Sequence, residues 1–187
     1  MPLKTNQWLD WEPNARLSAL PTVATEVHRS GMRNFAAGVS IITSRHDGLS
    51  AGLTATAVCS VTADPPRLVV FVNKGVLATD LIIKSGALCA NLLSGEQEDV
   101  ARAFAGMVPG VRGEDRFGYG RWSELLTGAP VLENALVSFD CRVTNVYDES
   151  THQAFLCEVL ATQQRKEGDA LIYLNGAFHA IPLCDKN

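Results

Sequence analysis

No segment of this chain approaches the run of roughly 20 apolar residues that a membrane-spanning helix needs, which points to a soluble protein. Basic stripes are lacking too. The 16 Lys and Arg residues are scattered and outnumbered by 20 Asp and Glu, and a formal net charge of −4 does not suit a phosphate-backbone ligand, so nucleic-acid binding is not expected. The four histidines, His28, His46, His152 and His179, make no H-x-x-x-H spacing beside an acid, so no metal centre is expected. No G-x-G-x-x-G follows a candidate strand, no nucleophile motif is present, and no two carboxylates are set as an acid–base pair.

Disulfide chemistry is equally unsupported. The five cysteines, Cys59, Cys89, Cys141, Cys157 and Cys184, are odd in number and form no C-x-x-C pair; most lie in apolar runs, where a thiol behaves as a small hydrophobe, so reduced and mostly buried thiols are expected. Residues Met1 to Arg16 include Trp8, Asp10, Trp11 and Glu12 but no apolar signal stretch, which leads to a cytoplasmic expectation. A length of 187 residues fits one domain able to bury roughly 70% of its unfolded surface.

What is present reads mainly as strands. Residues 1 to 20 lack periodicity and are expected to form an arm ahead of a domain over 21–187, which opens with a helix packing Val23, Val27, Met32 and Phe35 inward. Val39 to Ser44 and Leu49 to Ser60 flank His46-Asp47-Gly48, whose Asp-Gly step tolerates the positive φ of a tight hairpin. Leu68 to Val72 is a strand, Ala78 to Lys84 a short helix closed by Gly86, and Leu88 to Leu93 another strand. Ser94 with Gln97 is a capping-box pattern opening a helix whose apolar face carries Val100, Ala101 and Phe104. Met107 to Gly120, rich in glycine and charge, reads as a long functional loop. Val137, Phe139, Cys141 and Val143 alternate with Ser138, Asp140, Arg142 and Thr144, the pattern of a half-buried antiparallel strand, and Ala154 to Leu160 and Ala170 to Leu174 continue the sheet. Without a βαβ rhythm or internal repeat, the fold class is mainly β, a Greek-key barrel with peripheral α-helices.

One stretch carries the functional signal. From Gly52 to Pro66 the chain reads Gly-Leu-Thr-Ala-Thr-Ala-Val-Cys-Ser-Val-Thr-Ala-Asp-Pro-Pro. Strands of Thr, Ala, Ser and Val fill a core poorly and leave backbone N–H and C=O groups within reach of something flat, such as a ligand ring. Taken with Asn91 to Gln97, Phe104-Ala105-Gly106, Arg116-Phe117 with Trp122, Ser138-Phe139-Asp140-Cys141, Thr151-His152, Leu171-Ile172-Tyr173 and Phe178-His179, the sequence resembles the short-chain flavin reductases of the FMN-binding split-barrel family. It is similar to the reductases that serve 4-hydroxyphenylacetate and chlorophenol monooxygenases and to the pyrimidine-catabolic flavin reductase.

The resemblance implies a split β-barrel, FMN or FAD as flavin, and NADH or NADPH as reductant. It places Thr54, Ala55, Thr56, Ala57 and Val58 along the isoalloxazine, and Ser60, Lys74 and Thr79 toward the ribityl chain and phosphate, where a dianion wants a cation and several donors, with Asn73 also in the cofactor-binding set. Asn91, Ser94, Gln97, Phe104, Arg116, Tyr173 and Phe178 complete its cofactor-binding set, although Ser94 and Gln97 already make sense as a helix cap. His152 would lie by nicotinamide and flavin as the catalytic candidate; the bland alternative is a strand-start histidine bonded to backbone, and Ser150-Thr151 before it departs from relatives with Gly or Asp. The implied activity is hydride transfer from nicotinamide to flavin, with reduced flavin diffusing from a homodimer to a partner monooxygenase. Two other readings stay open: a flavin carrier without a nicotinamide site, and a pyridoxamine-phosphate oxidase, which would want more Arg and Lys than this chain has.

Overall fold

A computed structural model describes residues 12–183, which fall into two compact units divided between Asn34 and Phe35. The first holds α1 (Ala15–Ser18), a single turn whose first N–H groups are capped by the Asn14 side chain, and α2 (Thr25–Met32). Neither helix buries a residue, and Val23, Val27 and Met32 are at least half exposed, as is Phe35 beyond the division. The stripe expected to pack inward is therefore bare in the single chain.

The second unit is built from β1 (Ala37–Gly38), β2 (Ser40–His46), β3 (Leu49–Ala55), β4 (Val58–Ala63), β5 (Pro66–Asn73), α3 (Leu77–Ser85), β6 (Ala87–Leu92), α4 (Glu98–Phe104), β7 (Trp122–Glu124), β8 (Pro130–Leu132), β9 (Val137–Glu149), β10 (His152–Gln164), β11 (Asp169–Leu174) and β12 (Ala177–Pro182). Seven strands form one sheet in the order β3-β2-β6-β9-β10-β5-β4, with a three-stranded sheet β1-β11-β12 and a β7-β8 pair beside it. β3 and β4 are the two ends of the large sheet, yet only Thr56 and Ala57 separate them in the chain. Two residues span roughly 10 Å, so the sheet must curl until its first and last strands meet, although no ladder joins them. The result is a barrel with an open seam, and the run from Leu49 to Ser60, expected as one strand, breaks at that seam.

The hairpin between β2 and β3 turns on Asp47 and Gly48, both at positive φ, as its Asp-Gly step predicts. β2 buries both faces. Ile42 joins Val70, Val72, Leu88 and Phe155 inside the barrel, whereas Ile41 faces the other way, into the layer of Val39, Leu93, Ala101, Phe104 and Leu171. Gly52 permits that second layer: a Cβ there would sit 2.8 Å from the Phe104 ring and 3.0 Å from the Ile42 carbonyl. The alternation read in β9 also differs from solvent-facing expectation, because Ser138 and Asp140 are fully enclosed. Asp140 accepts from the backbone N–H groups of Leu126 and Thr127 at 2.7 and 2.9 Å, pinning the turn that leads into β8. The segment 107–120, read as a loop, includes a 3₁₀ segment at Gly113–Gly118. Among the described residues, no helix is long and apolar enough to cross a membrane.

Candidate functional site

A cavity of about 690 Å³ opens beside the small residues of β4. Thr56, Val58, Cys59, Ser60 and Thr62 form one wall, Ala90, Leu92, Phe139 and Val159 the apolar floor, and Ala36 to Gly38 a rim, with Arg67 and Leu68 at the foot of β5. The volume lies within the range of small-molecule sites. It exists because Ser, Thr and Ala side chains along β4 leave the space that larger ones would fill. β4 is also an edge strand, paired to β5 alone, so the backbone N–H and C=O groups of its other side are free to meet a polar-edged ring. A register irregularity between Ser60 and Thr62 bends this edge further.

Of the sequence-predicted residues, Thr56, Val58 and Ser60 line this cavity. Ala57 sits exposed in the seam and its carbonyl accepts from Phe71 N at 3.1 Å, while Ala55 packs on the barrel core. Thr54 turns its hydroxyl the other way, donating to the Ala101 carbonyl at 2.7 Å.

A second group gathers at the far end of β5. His152 lies opposite Asn73 in the β10–β5 ladder, Lys74 N donates to the Thr151 carbonyl at 3.0 Å, and the buried Thr79 hydroxyl donates to the Asn73 carbonyl at 2.7 Å. Lys74 is ion-paired with Asp148, and the Asn73 side chain accepts from Gly75 N at 2.8 Å. His152 is exposed, its Nδ1 2.8 Å from the Thr151 hydroxyl, so its second ring nitrogen is open to a ligand.

The remaining candidates hold the protein together. Asn91 is wholly enclosed: its Nδ2 donates to the Ile41 carbonyl at 3.1 Å, and its Oδ1 accepts from Leu132 N and the Ser138 hydroxyl, each at 2.8 Å. Gln97 accepts from Ser94 N at 3.0 Å, half of the capping box, and donates to the Glu133 carbonyl at 3.0 Å. Phe104 is core, its ring 5.1 Å from Phe117 and 5.4 Å from Trp122. Arg116 donates to the carbonyls of Gly52 and Phe104 at 3.4 Å, tying its 3₁₀ segment to β3 and α4. Tyr173 and Phe178 meet edge to face at 5.1 Å, with the Arg102 guanidinium 5.5 Å above Phe178.

Sequence reading missed Arg67. Nothing but a single charge at the start of an apolar strand marks it, directly after Pro65-Pro66. Its Nε and Nη2 donate to one oxygen of Glu158 at 3.2 and 2.7 Å, and Arg142 takes the other oxygen at 3.0 and 2.6 Å. Hydrogen bonds from Arg67 first, then Arg142, hold the Glu158 carboxyl below its ordinary value of 4.5. Cys59 was also missed as a lining group, and it is exposed, unlike Cys89, Cys141 and Cys157; Cys184 lies outside the described residues. Burial raises the three enclosed thiols, Cys157 to about 12, with Asp140 adding to the rise at Cys89 and with Cys157 and Asp140 adding to it at Cys141.

Comparison with known proteins agrees with this geometry. The family described as flavin reductase like domain matches residues 32–182. The chain is 42% identical over 159 residues to FMN reductase (NADH) RutF of Stutzerimonas stutzeri, covering 85% of this chain and 90% of that protein. It is 40% identical over 156 residues to the reductase component of 4-hydroxyphenylacetate 3-monooxygenase of Pseudomonas aeruginosa, covering 83% and 91%. Among solved structures, BorF, the flavin reductase component of a bacterial two-component tryptophan halogenase, superposes with a TM-score of 0.77 at 28% identity, covering 86% of this chain and all of that one.

Proposed function

The chain belongs to the flavin reductase-like family, and from that premise we propose that it reduces FMN or FAD with NADH and releases the reduced flavin for use by a separate monooxygenase. The observation that carries this reading is the cavity beneath the β4 edge, where open backbone groups, small side chains and an apolar floor meet in one place. These features fit a flavin: a planar ring needs hydrogen bonds at its pyrimidine edge and room for its face. The two ligands supply the hydride chemistry themselves.

The protein's part is positional. β4 and the Thr56-Ala57 seam orient the ring, and the apolar residues Ala90, Leu92, Phe139 and Val159 exclude water from beneath it. In this reading His152, exposed at the β5–β10 end, contacts the nicotinamide ligand. With a single charged residue lining the cavity, the flavin is held moderately, as suits a substrate that leaves. Two copies associate, since the unpaired β4 edge offers surface for a partner.

Diffusion is tested by placing the chain with NADH and FMN on one side of a membrane permeable only to small molecules and a flavin-dependent oxygenase on the other. Product on the far side supports release; NADH consumption with no product unless the proteins mix contradicts it. Flavin binding without any NADH consumption assigns the chain to flavin carriage instead.

A further inference from the structure

We infer that Thr151 is a positioning residue for His152: its hydroxyl fixes the imidazole, and its carbonyl fixes the turn that presents it. The inference rests on the reading of His152 as the nicotinamide contact and names what holds that side chain in place.

β9 and β10 are joined by a turn of two residues, Ser150 and Thr151, with Glu149 paired opposite His152 and Ser150 at a φ of 48°. An exposed turn of this kind is ordinarily mobile. This one is docked on the end of β5. Lys74 N donates to the Thr151 carbonyl at 3.0 Å, His152 lies opposite Asn73, and the Lys74 ammonium pairs with Asp148 of β9. The end of β5 is tied down in turn: the Asn73 carbonyl accepts from the buried Thr79 hydroxyl at 2.7 Å, and the Asn73 side chain accepts from Gly75 N at 2.8 Å. The backbone of His152 is therefore held between β5 and β9.

The ring needs a restraint of its own, because an exposed histidine has two torsions to rotate and two tautomers to choose between. The Thr151 hydroxyl supplies it, 2.8 Å from Nδ1. Donating to Nδ1, it leaves the ring proton on Nε2, so the nitrogen open to a ligand is a donor. A donor there suits an acceptor such as the carboxamide oxygen of nicotinamide. The β-branch of threonine narrows the rotamers of its hydroxyl and makes it a stiffer brace than serine. Rings that must align for hydride transfer gain from a contact held in one orientation before the ligand arrives.

The test follows two readouts in wild type, Thr151→Val, Thr151→Ser, His152→Ala and the double variant Thr151→Val with His152→Ala. Nitrogen-15 NMR of the imidazole reads the tautomer: wild type and Thr151→Ser keep the proton on Nε2, and Thr151→Val gives a mixture. Stopped-flow reduction reads the reaction: Thr151→Val loses about three- to tenfold in kcat/KM for NADH, the worth of one neutral hydrogen bond, while Kd for FMN holds and Thr151→Ser recovers most of the loss. In the double variant the loss is no greater than in His152→Ala alone, since a residue that acts through the imidazole has no effect once the imidazole is gone. An added loss in the double variant, an unaltered tautomer in Thr151→Val, or normal kcat/KM there overturns the inference. So does a wild-type ring with its proton on Nδ1, a result that needs no variant to fold. Wild-type protein that binds FMN and consumes no NADH defeats the flavin reductase reading itself, an outcome the tautomer measurement keeps separate.

Discussion

Asn91 shows how a residue can match a family's site and still be spoken for by its own fold. Its amide bridges β2, β8 and β9 in a place with no access to solvent, so Asn91→Ala strands the Leu132 N–H and loses the Ser138 bond. Leaving buried polar groups unpaired costs about 3 kcal/mol, and chemical denaturation is expected to show a loss of that order with flavin affinity of the folded fraction unchanged. A comparable drop in flavin affinity with stability intact would return Asn91 to the cofactor site. His152 makes the opposite case, since its exposed ring bonds the hydroxyl of its neighbour Thr151. His152→Ala is expected to raise KM for NADH and slow flavin reduction while leaving flavin binding and thermal stability in place. Unchanged reduction rates at every NADH concentration would confine it to the strand end.

Elements differ in how far they could be read ahead of the structure, and the difference follows from the range of the forces that form them. The Asp47-Gly48 hairpin, the closure of α3 at Gly86 and the Ser94–Gln97 cap depend on neighbours a few residues away, and all three stand where the sequence put them. The burial of Ser138 and Asp140 depends on partners at residues 91, 126 and 127, which period-two patterning in β9 cannot contain. The β7–β8 pair is likewise too short to announce itself, and the break at Thr56-Ala57 becomes visible only when β3 and β4 occupy opposite ends of the sheet. The cross-strand ion cluster of β5, β9 and β10 belongs to this level too. Glu158 has its carboxyl pKa depressed in the folded chain, so the unfolded chain takes up the proton first as pH falls. Its contribution is complete above the ordinary carboxyl value of 4.5 and is lost as pH drops through the lower folded value. The stability gap between wild type and Glu158→Gln is therefore expected to be flat near neutrality and to shrink in acid; a gap that widens in acid would contradict the assigned ion cluster.

At the scale of the second unit, an open-seamed barrel explains how one small chain forms a cavity without a nucleotide-binding fold: the seam leaves an edge strand free, and small residues beside it leave the volume. The same openness leaves apolar surface that a stable pair of chains would cover, burying typically more than about 1,000 Å². Sedimentation velocity is expected to show a dimer, and a stable, fully active monomer would contradict this. The central claim is catalysis of hydride transfer from NADH to flavin, and anaerobic stopped-flow mixing reads it most directly. Trace enzyme mixed with excess FMN and NADH is predicted to bleach the flavin over many turnovers, with NADH lost in equal amount. Flavin that binds the protein yet keeps its oxidised spectrum in the presence of NADH would contradict the account.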